Sequence, residues 1–367
     1  MKKRITFILI IVMLFVTSCE SDLLREWGFV PSLTPTETLT PTASPTLTAT
    51  ATITPTVTIT PTITPTPWAV ESFISASLYP GVEPVQYVED TCQYLADRWG
   101  EGKAEPGTIV VPIMFHSILP AGKEPTKAED ITVAYFEYFM AYAQEMGFET
   151  VTTSELVDFL NHNTSIPKYS MLLILDDRRP DTPALFMPYL EANDWTLTLA
   201  WPTTDATPDS IWEKIQGYVD TGYVEVQPHG HNHVYIQSYT KLDIVEQEIY
   251  HPMEVIQEHF GTSSLAFIWP GGNFTSQAVE IADEAGYEIG FTVYSRGPLM
   301  YNWIPLGEPE REMGNPLLVL PRYWSYGADY ALEHALDFSA AAEEQAAAVR
   351  DQELLYYSLF CQPSEGE

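Results

Sequence analysis

Positive charge is what this sequence has least of. Its 367 residues carry 17 Lys and Arg against 50 Asp and Glu, for a formal net charge of -33. Nucleic acid and anionic lipid headgroups both require clusters of Lys and Arg, and none is found beyond the first four residues, so neither is an expected partner. Cysteine is nearly as scarce, with three residues and no CxxC pair. There is no Gly-rich phosphate loop and no internal repeat. The long apolar run at Ile5 to Val16 is too short to span a bilayer comfortably.

That run nevertheless has a context. Lys2, Lys3 and Arg4 precede it, and Val16-Thr17-Ser18-Cys19 follows, the order of a signal peptide ending in a lipoprotein-type cleavage box. Residues 1–19 are therefore expected to be a leader that leaves a lipidated Cys19. Residues 20–67 are dominated by Thr and Pro in recurring TPT triplets, which block helix and sheet pairing and favour a disordered polyproline II stalk. At ~3.1 Å per residue such a stalk reaches on the order of 100 Å. Cys92 and Cys361 then remain, near the two ends of the folded part. Either they stay free thiols or, in an oxidising exported location, they form a bridge worth roughly 4 to 5 kcal/mol in the chain-entropy account.

From Trp68 onward the composition becomes globular. A helical extension is expected over 68–106, with Val88, Cys92, Leu95 and Trp99 at helical spacing, and a catalytic domain over 107–367. Buried-strand candidates are Thr108 to Phe115, Phe148 to Thr152, Met171 to Leu175, Thr196 to Ala200, Tyr223 to Gln227, Leu265 to Trp269, Glu288 to Tyr294 and Pro316 to Leu320. Pro112 predicts an edge or a bulge in the first. Helices are expected over Ile131 to Met146, Ser154 to Asn161 with a Ser cap, Thr182 to Ala192, Ser210 to Asp220, Lys241 to Phe260, Ser276 to Ala285 and Ala328 to Val349, whose Ala-rich end reads as a surface helix. Strands alternating with helices imply parallel pairing and right-handed crossovers. The fold class expected is α/β, an irregular (β/α) barrel of seven or eight strands, with an open doubly wound sheet as the alternative.

Two motifs carry chemistry. The run LLILDDRRPD ends an apolar strand in Asp176 and Asp177, and QPHGHNH places His229, His231 and His233 just past another strand end. A barrel brings such strand ends onto one rim, where imidazole and carboxylate together suit a hydrolytic Zn²⁺ with an open position for water. His231 could replace either neighbouring histidine as a ligand.

Together with FIWPGGNF, these motifs make the stretch from Gly107 to Leu320 resemble the polysaccharide deacetylases of carbohydrate esterase family 4. The early strand motif IMFHS gives it most likeness to the poly-N-acetylglucosamine deacetylase branch. The resemblance implies Asp176 as general base and His116 as general acid. It implies Asp177, His229 and His233 as ligands of a divalent metal, expected to be Zn²⁺. It also implies a substrate groove lined by Trp269, Pro270 and Gly271, with a backbone N–H there for the oxyanion. Trp303 and Trp324 are further aromatics, but the motif places only Trp269. Arg322 is expected at the substrate or as the group that orients Asp176. Two departures stand out: Arg178-Arg179 follow the Asp pair where the family usually has Gly, and the Pro-containing motif lacks its usual Arg. The implied function is metal-dependent removal of N-acetyl groups from a glycan in the cell envelope, by a monomer held to the membrane only through its lipid. A metal-dependent amidase on a non-glycan substrate and an inactive glycan-binding lipoprotein are the alternatives.

Overall fold

The computed structural model describes residues 65–362. The expected leader, Cys19 and nearly all of the stalk lie outside the described residues. Among the described residues no helix is long and apolar enough to cross a membrane.

Among the described residues, seven short parallel strands form the expected irregular barrel, with the two-residue strand Glu149–Thr150 pairing beside Ser170 and Met171. Five pair in sequence: β1 (Ile109–Phe115), β2 (Tyr169–Leu175), β3 (Leu197–Trp201), β4 (Val224–Pro228) and, on the other flank of β1, β7 (Tyr323–Trp324). β5 (Ala266–Ile268) and β6 (Ile289–Phe291) pair with each other, and Phe291 bridges to Leu320, just before β7. Between β4 and β5 no backbone ladder is formed. A side chain spans that seam instead: the Gln227 amide oxygen accepts the N–H groups of Leu265 and Ala266, both at 3.0 Å.

Alternation along the strands sorts the core into two parts. Ile109, Val111, Ile113 and Phe115 pack with Met171, Leu173 and Leu175 toward the helices α2 (Val133–Glu145), α4 (Pro183–Asn193) and α8 (Ala328–Phe360). Val110, Leu172 and Ile174 face the other way, toward Phe267, Trp269 and Phe291 of β5 and β6. These runs are apolar throughout because both faces of a parallel sheet are covered.

Pro112 is neither on an edge strand nor in a bulge. The odd residues of β1 bond to β2, as when Asp176 N–H donates to Phe115 O and Ile109 N–H donates to Lys168 O. Pro112 therefore faces the opposite side. There β1 exchanges partners, from Leu299 at Val110 to Tyr323 and Trp324 at Ile113 and Met114, so the missing donor costs no ladder bond. Two further expectations are corrected. α3 (Thr153–His162) is capped by Thr152 in a capping box with Glu155, and Ser154 lies within it. Residues Pro316–Val319 form a 3-10 turn, because closure of the barrel is left to Leu320 and β7.

The final helix is longer than expected, and its Ala-rich part is packed: Ser339, Ala342 and Ala346 are buried. Its far end meets α1 (Thr91–Trp99), where Glu353 takes a hydrogen bond from Trp99 and an ion pair from Arg98. Beside them Cys92 and Cys361 form a disulfide, 269 residues apart in sequence. Constraining so long a loop in the unfolded chain predicts that the Cys92→Ser/Cys361→Ser double variant loses about 2–5 kcal/mol. Urea unfolding of the two proteins checks this; equal midpoints and slopes would show that the bridge contributes nothing.

Candidate active site

β1, β2 and β4 end on the same rim, and each delivers part of one site. β1 hands on to His116 and β2 to Asp176 and Asp177, while the loop after β4 carries His229 and His233. These five line one pocket of ≈ 290 Å³ together with Tyr235, Gly271 and Trp324.

The two aspartates face different partners because Asp177 adopts a left-handed backbone, φ 70°, at the strand end. Asp176 continues inward and is buried. Its Oδ1 accepts a 2.7 Å hydrogen bond from Arg322 Nη1, and its Oδ2 lies 3.6 Å from His116 Nε2. Asp177 turns outward, with Oδ1 3.1 Å from His233 Nε2 and 3.8 Å from His229 Nε2. Left-handed geometry costs a non-glycine residue about 1 kcal/mol or more, and Asp is among the residues that bear it best.

Arg322 is fully buried, so it cannot meet a substrate. Its Nε donates to Thr292 O at 2.7 Å while Nη1 holds the Asp176 carboxylate. Burial alone would raise the Asp176 pKa, but the Arg322 guanidinium, then His229 and His116, outweigh it and the net direction is down. Burial also opposes ionisation of Asp177, yet the hydrogen bond from His233 and the nearby imidazoles carry it well below the usual carboxylate range.

His229 shows what the site can hold. Its Nδ1–H donates to Ile268 O at 2.8 Å, and burial pushes its pKa down to about 4. The ring is thus neutral near pH 7, with the Nε2 lone pair facing His233 Nε2 at 3.1 Å. Asp177, His229 and His233 present one ligand atom each, all within 4.8 Å of one another. A tetrahedral ion with bonds of ~2.1 Å needs neighbouring donors about 3.4 Å apart, so this set fits a divalent metal of the Zn²⁺ type. The backbone tie on Nδ1 is the kind of outer contact that orients a ligating imidazole.

Burial of neutral His229 has a pH consequence for the metal-free protein. The unfolded chain takes up a proton near pH 6.5 and the folded chain only near 4, so the unfolded state binds more protons between those values. Stability is expected to be lost as pH falls across this window, by on the order of 3 kcal/mol at 1.36 kcal/mol per unit. Asp176 and Asp177, both lowered, extend the loss only below about pH 4. Denaturant unfolding at pH 7, 5.5 and 4 should show a shallower fall for His229→Gln; parallel curves for the two proteins would contradict the assignment.

Trp269 does not line the pocket as expected. Its ring is fully buried, and Nε1 donates to Leu318 O at 2.7 Å. The 3-10 turn Pro270–Gly272 places Pro270 inside as well, so only Gly271 of the expected trio reaches the pocket. A Cβ on Gly271 would lie 2.9 Å from the Tyr235 ring, so glycine lets that ring close over the turn. Trp303 is also buried, with Nε1 bonded to Phe73 O. Trp324 is the tryptophan at the site: it stacks on His116 with centroids 5.5 Å apart, and Tyr326 stacks on it in turn.

Arg178 is exposed and borders a separate hollow with Trp201 and Pro208. Arg179 Nη2 lies 3.7 Å from Asp177 Oδ2. His231 points away from its two neighbours and does not replace either. Glu248 of α6 (Leu242–Phe260) could not be foreseen in the sequence, where it is one acidic residue among many on a helix. Fully buried, it clasps the histidine loop by accepting the N–H groups of Asn232 and Val234.

Solved structures of similar fold exist. The chain superposes on the Streptococcus pyogenes deacetylase PplD, solved with acetate, at a TM-score of 0.52 and 16% identity, covering 63% of this chain and 99% of that one. IcaB from Ammonifex degensii gives 0.49 and 18%, covering 64% and 100%. BC0361, a polysaccharide deacetylase from Bacillus cereus, gives 0.49 and 18%, covering 62% and 69%. No curated protein matches by sequence. The sequence model of the polysaccharide deacetylase family does match, over residues 164–290, the stretch that contains both the Asp176-Asp177 and the His229 to His233 motifs.

Proposed function

We propose that this chain is a divalent-metal-dependent N-deacetylase acting on an N-acetylated glycan of the poly-N-acetylglucosamine or cell-wall kind. It works outside the cytoplasmic membrane on a stalk anchored through Cys19. The observation that carries the reading is the division of labour between adjacent carboxylates, Asp177 with two imidazoles and Asp176 with a buried guanidinium and His116.

Asp177, His229 and His233 would hold the ion. When bound, it supplies Lewis acidity that acidifies water and polarises the acetyl carbonyl. The chain's own groups do the rest. Asp176, kept ionised and fixed by Arg322, takes the proton of the attacking water. His116, held flat against Trp324 beside Asp176, gives a proton to the departing amine nitrogen. In the turn 269–273 the N–H groups of Trp269, Gly272 and Asn273 are bonded to Phe291, Trp269 and Pro270 oxygens. Gly271 N–H is therefore the donor we assign to the developing oxyanion.

A glycan is favoured over a small amide by the rim. Tyr235, Trp324 and Tyr326 set aromatic faces at an open pocket, with Tyr235 and Tyr326 more than half exposed. Such faces suit the apolar sides of sugar rings. Arg178, the departure that most favoured an inactive binding protein, stands clear of Asp176. The test is acetate release from N-acetylglucosamine, its oligomers and simple N-acetyl amines. Release should rise with oligomer length; equal release from the simple amines would oppose the glycan reading. Labelling with a fatty-acid probe tests the anchor, and an unlabelled mature protein would refute it.

A further inference from the structure

His231 is the histidine that the site above leaves unused, and it is 1% exposed. Gly230, at φ 74°, reverses the chain between His229 and His231, so alternate histidines of one loop face opposite sides. A side chain at Gly230 would be strained at this φ, and its Cβ would press on Glu248 Oε2 at 2.4 Å. On its own side His231 meets Asp205, from the loop after β3, and His251, from α6. Asp205 Oδ1 lies 3.7 Å from His231 Nε2 and 3.9 Å from His251 Nε2. The three ligand atoms all lie within 4.8 Å of one another.

The outer contacts of both rings point the same way. His231 Nδ1 is 3.3 Å from Thr203 Oγ1, and His251 Nδ1 is 3.4 Å from Glu254 Oε2. With each Nδ1 carrying the proton toward an oxygen, both Nε2 lone pairs are directed at Asp205. This is how ligating imidazoles are prepared, and it repeats what Ile268 O does for His229.

We infer that Asp205, His231 and His251 form a second divalent-cation site, for a borderline ion of the Zn²⁺ class. Two imidazoles and one carboxylate favour such an ion over Mg²⁺ or Ca²⁺, which take oxygen ligands. Two of its three ligands are partly or largely exposed, which leaves a position for water. An ion here ties the loops after β3 and β4 to α6 and so fixes the turn from which His229 and His233 project. The inference does not depend on the deacetylase reading.

Zn²⁺ bound per chain, measured after equilibrium dialysis of the chelator-stripped full chain, tests it. Wild type should bind two ions, His251→Ala one, Asp177→Asn one, and the double variant none. His251 and Asp205 are surface positions, and Asp205→Asn provides a second variant expected to lose the same ion. In Asp177→Asn, added Zn²⁺ should still raise the thermal midpoint, and His251→Ala should remove that rise. One ion in wild type, retained by both His251→Ala and Asp205→Asn, would overturn the site. An ion lost with His251→Ala while Asp177→Asn still binds two would instead overturn the first ligand set and leave the second site standing.

Discussion

Replacing Asp176 with Asn is expected to lower acetate release by on the order of 10³-fold, within the 10²–10⁴ contributed by a positioned proton acceptor, while the metal content is unchanged. Asp176 is not among the three convergent ligands, so its charge is not needed to hold the ion. The amide keeps an oxygen for Arg322 Nη1 but cannot take a proton from water. Metal analysis and initial rates on the same preparation separate the two effects. A variant that lost its metal would move Asp176 into the ligand set, and one with near-normal rate would return the base to another group.

Arg322→Met carries the largest expected cost in stability. Arg322 and Asp176 are both buried and joined at 2.7 Å, so the change leaves a buried carboxylate without its compensating charge. Breaking such a pair costs about 3–5 kcal/mol. The same variant changes the pH dependence in a direction fixed by the charge removed. Without the guanidinium the Asp176 pKa rises, because burial then acts with less opposition. An acceptor must be ionised to work, so the acidic limb of kcat/KM should move to higher pH. Urea unfolding and a pH–rate profile check the two parts. An unshifted limb would mean that the limb reports another group.

The chemistry was more legible in the sequence than the aromatic groove. Asp176-Asp177 and His229 to His233 announce themselves because an apolar strand run breaks abruptly into ligand-type residues, and a parallel barrel gathers such ends. The disulfide was half legible, since composition permits it and only the packing of α1 against α8 brings the two cysteines together. Trp269 misleads because the same Pro-Gly-Gly turn that presents Gly271 folds the indole inward onto Leu318 O. Arg322, Glu248 and Asp205 act across 146, 16 and 26 residues of chain, on Asp176, Asn232 and His231 respectively, and no local spacing encodes those contacts. The closing strand was misplaced for a similar reason: Leu318 and Val319 are apolar enough for a strand, but Pro316 starts a tight turn, and the barrel closes a few residues later.

The proposed deacetylation requires that Asp177, His229 and His233 hold a divalent metal. Metal content and acetate release from N-acetylglucosamine oligomers, measured side by side for wild type and Asp177→Asn, test this directly. Wild type should carry an ion and release acetate, and Asp177→Asn should lose one ion per chain and stop releasing acetate. Full acetate release by wild type stripped of all metal, or by Asp177→Asn, would contradict it.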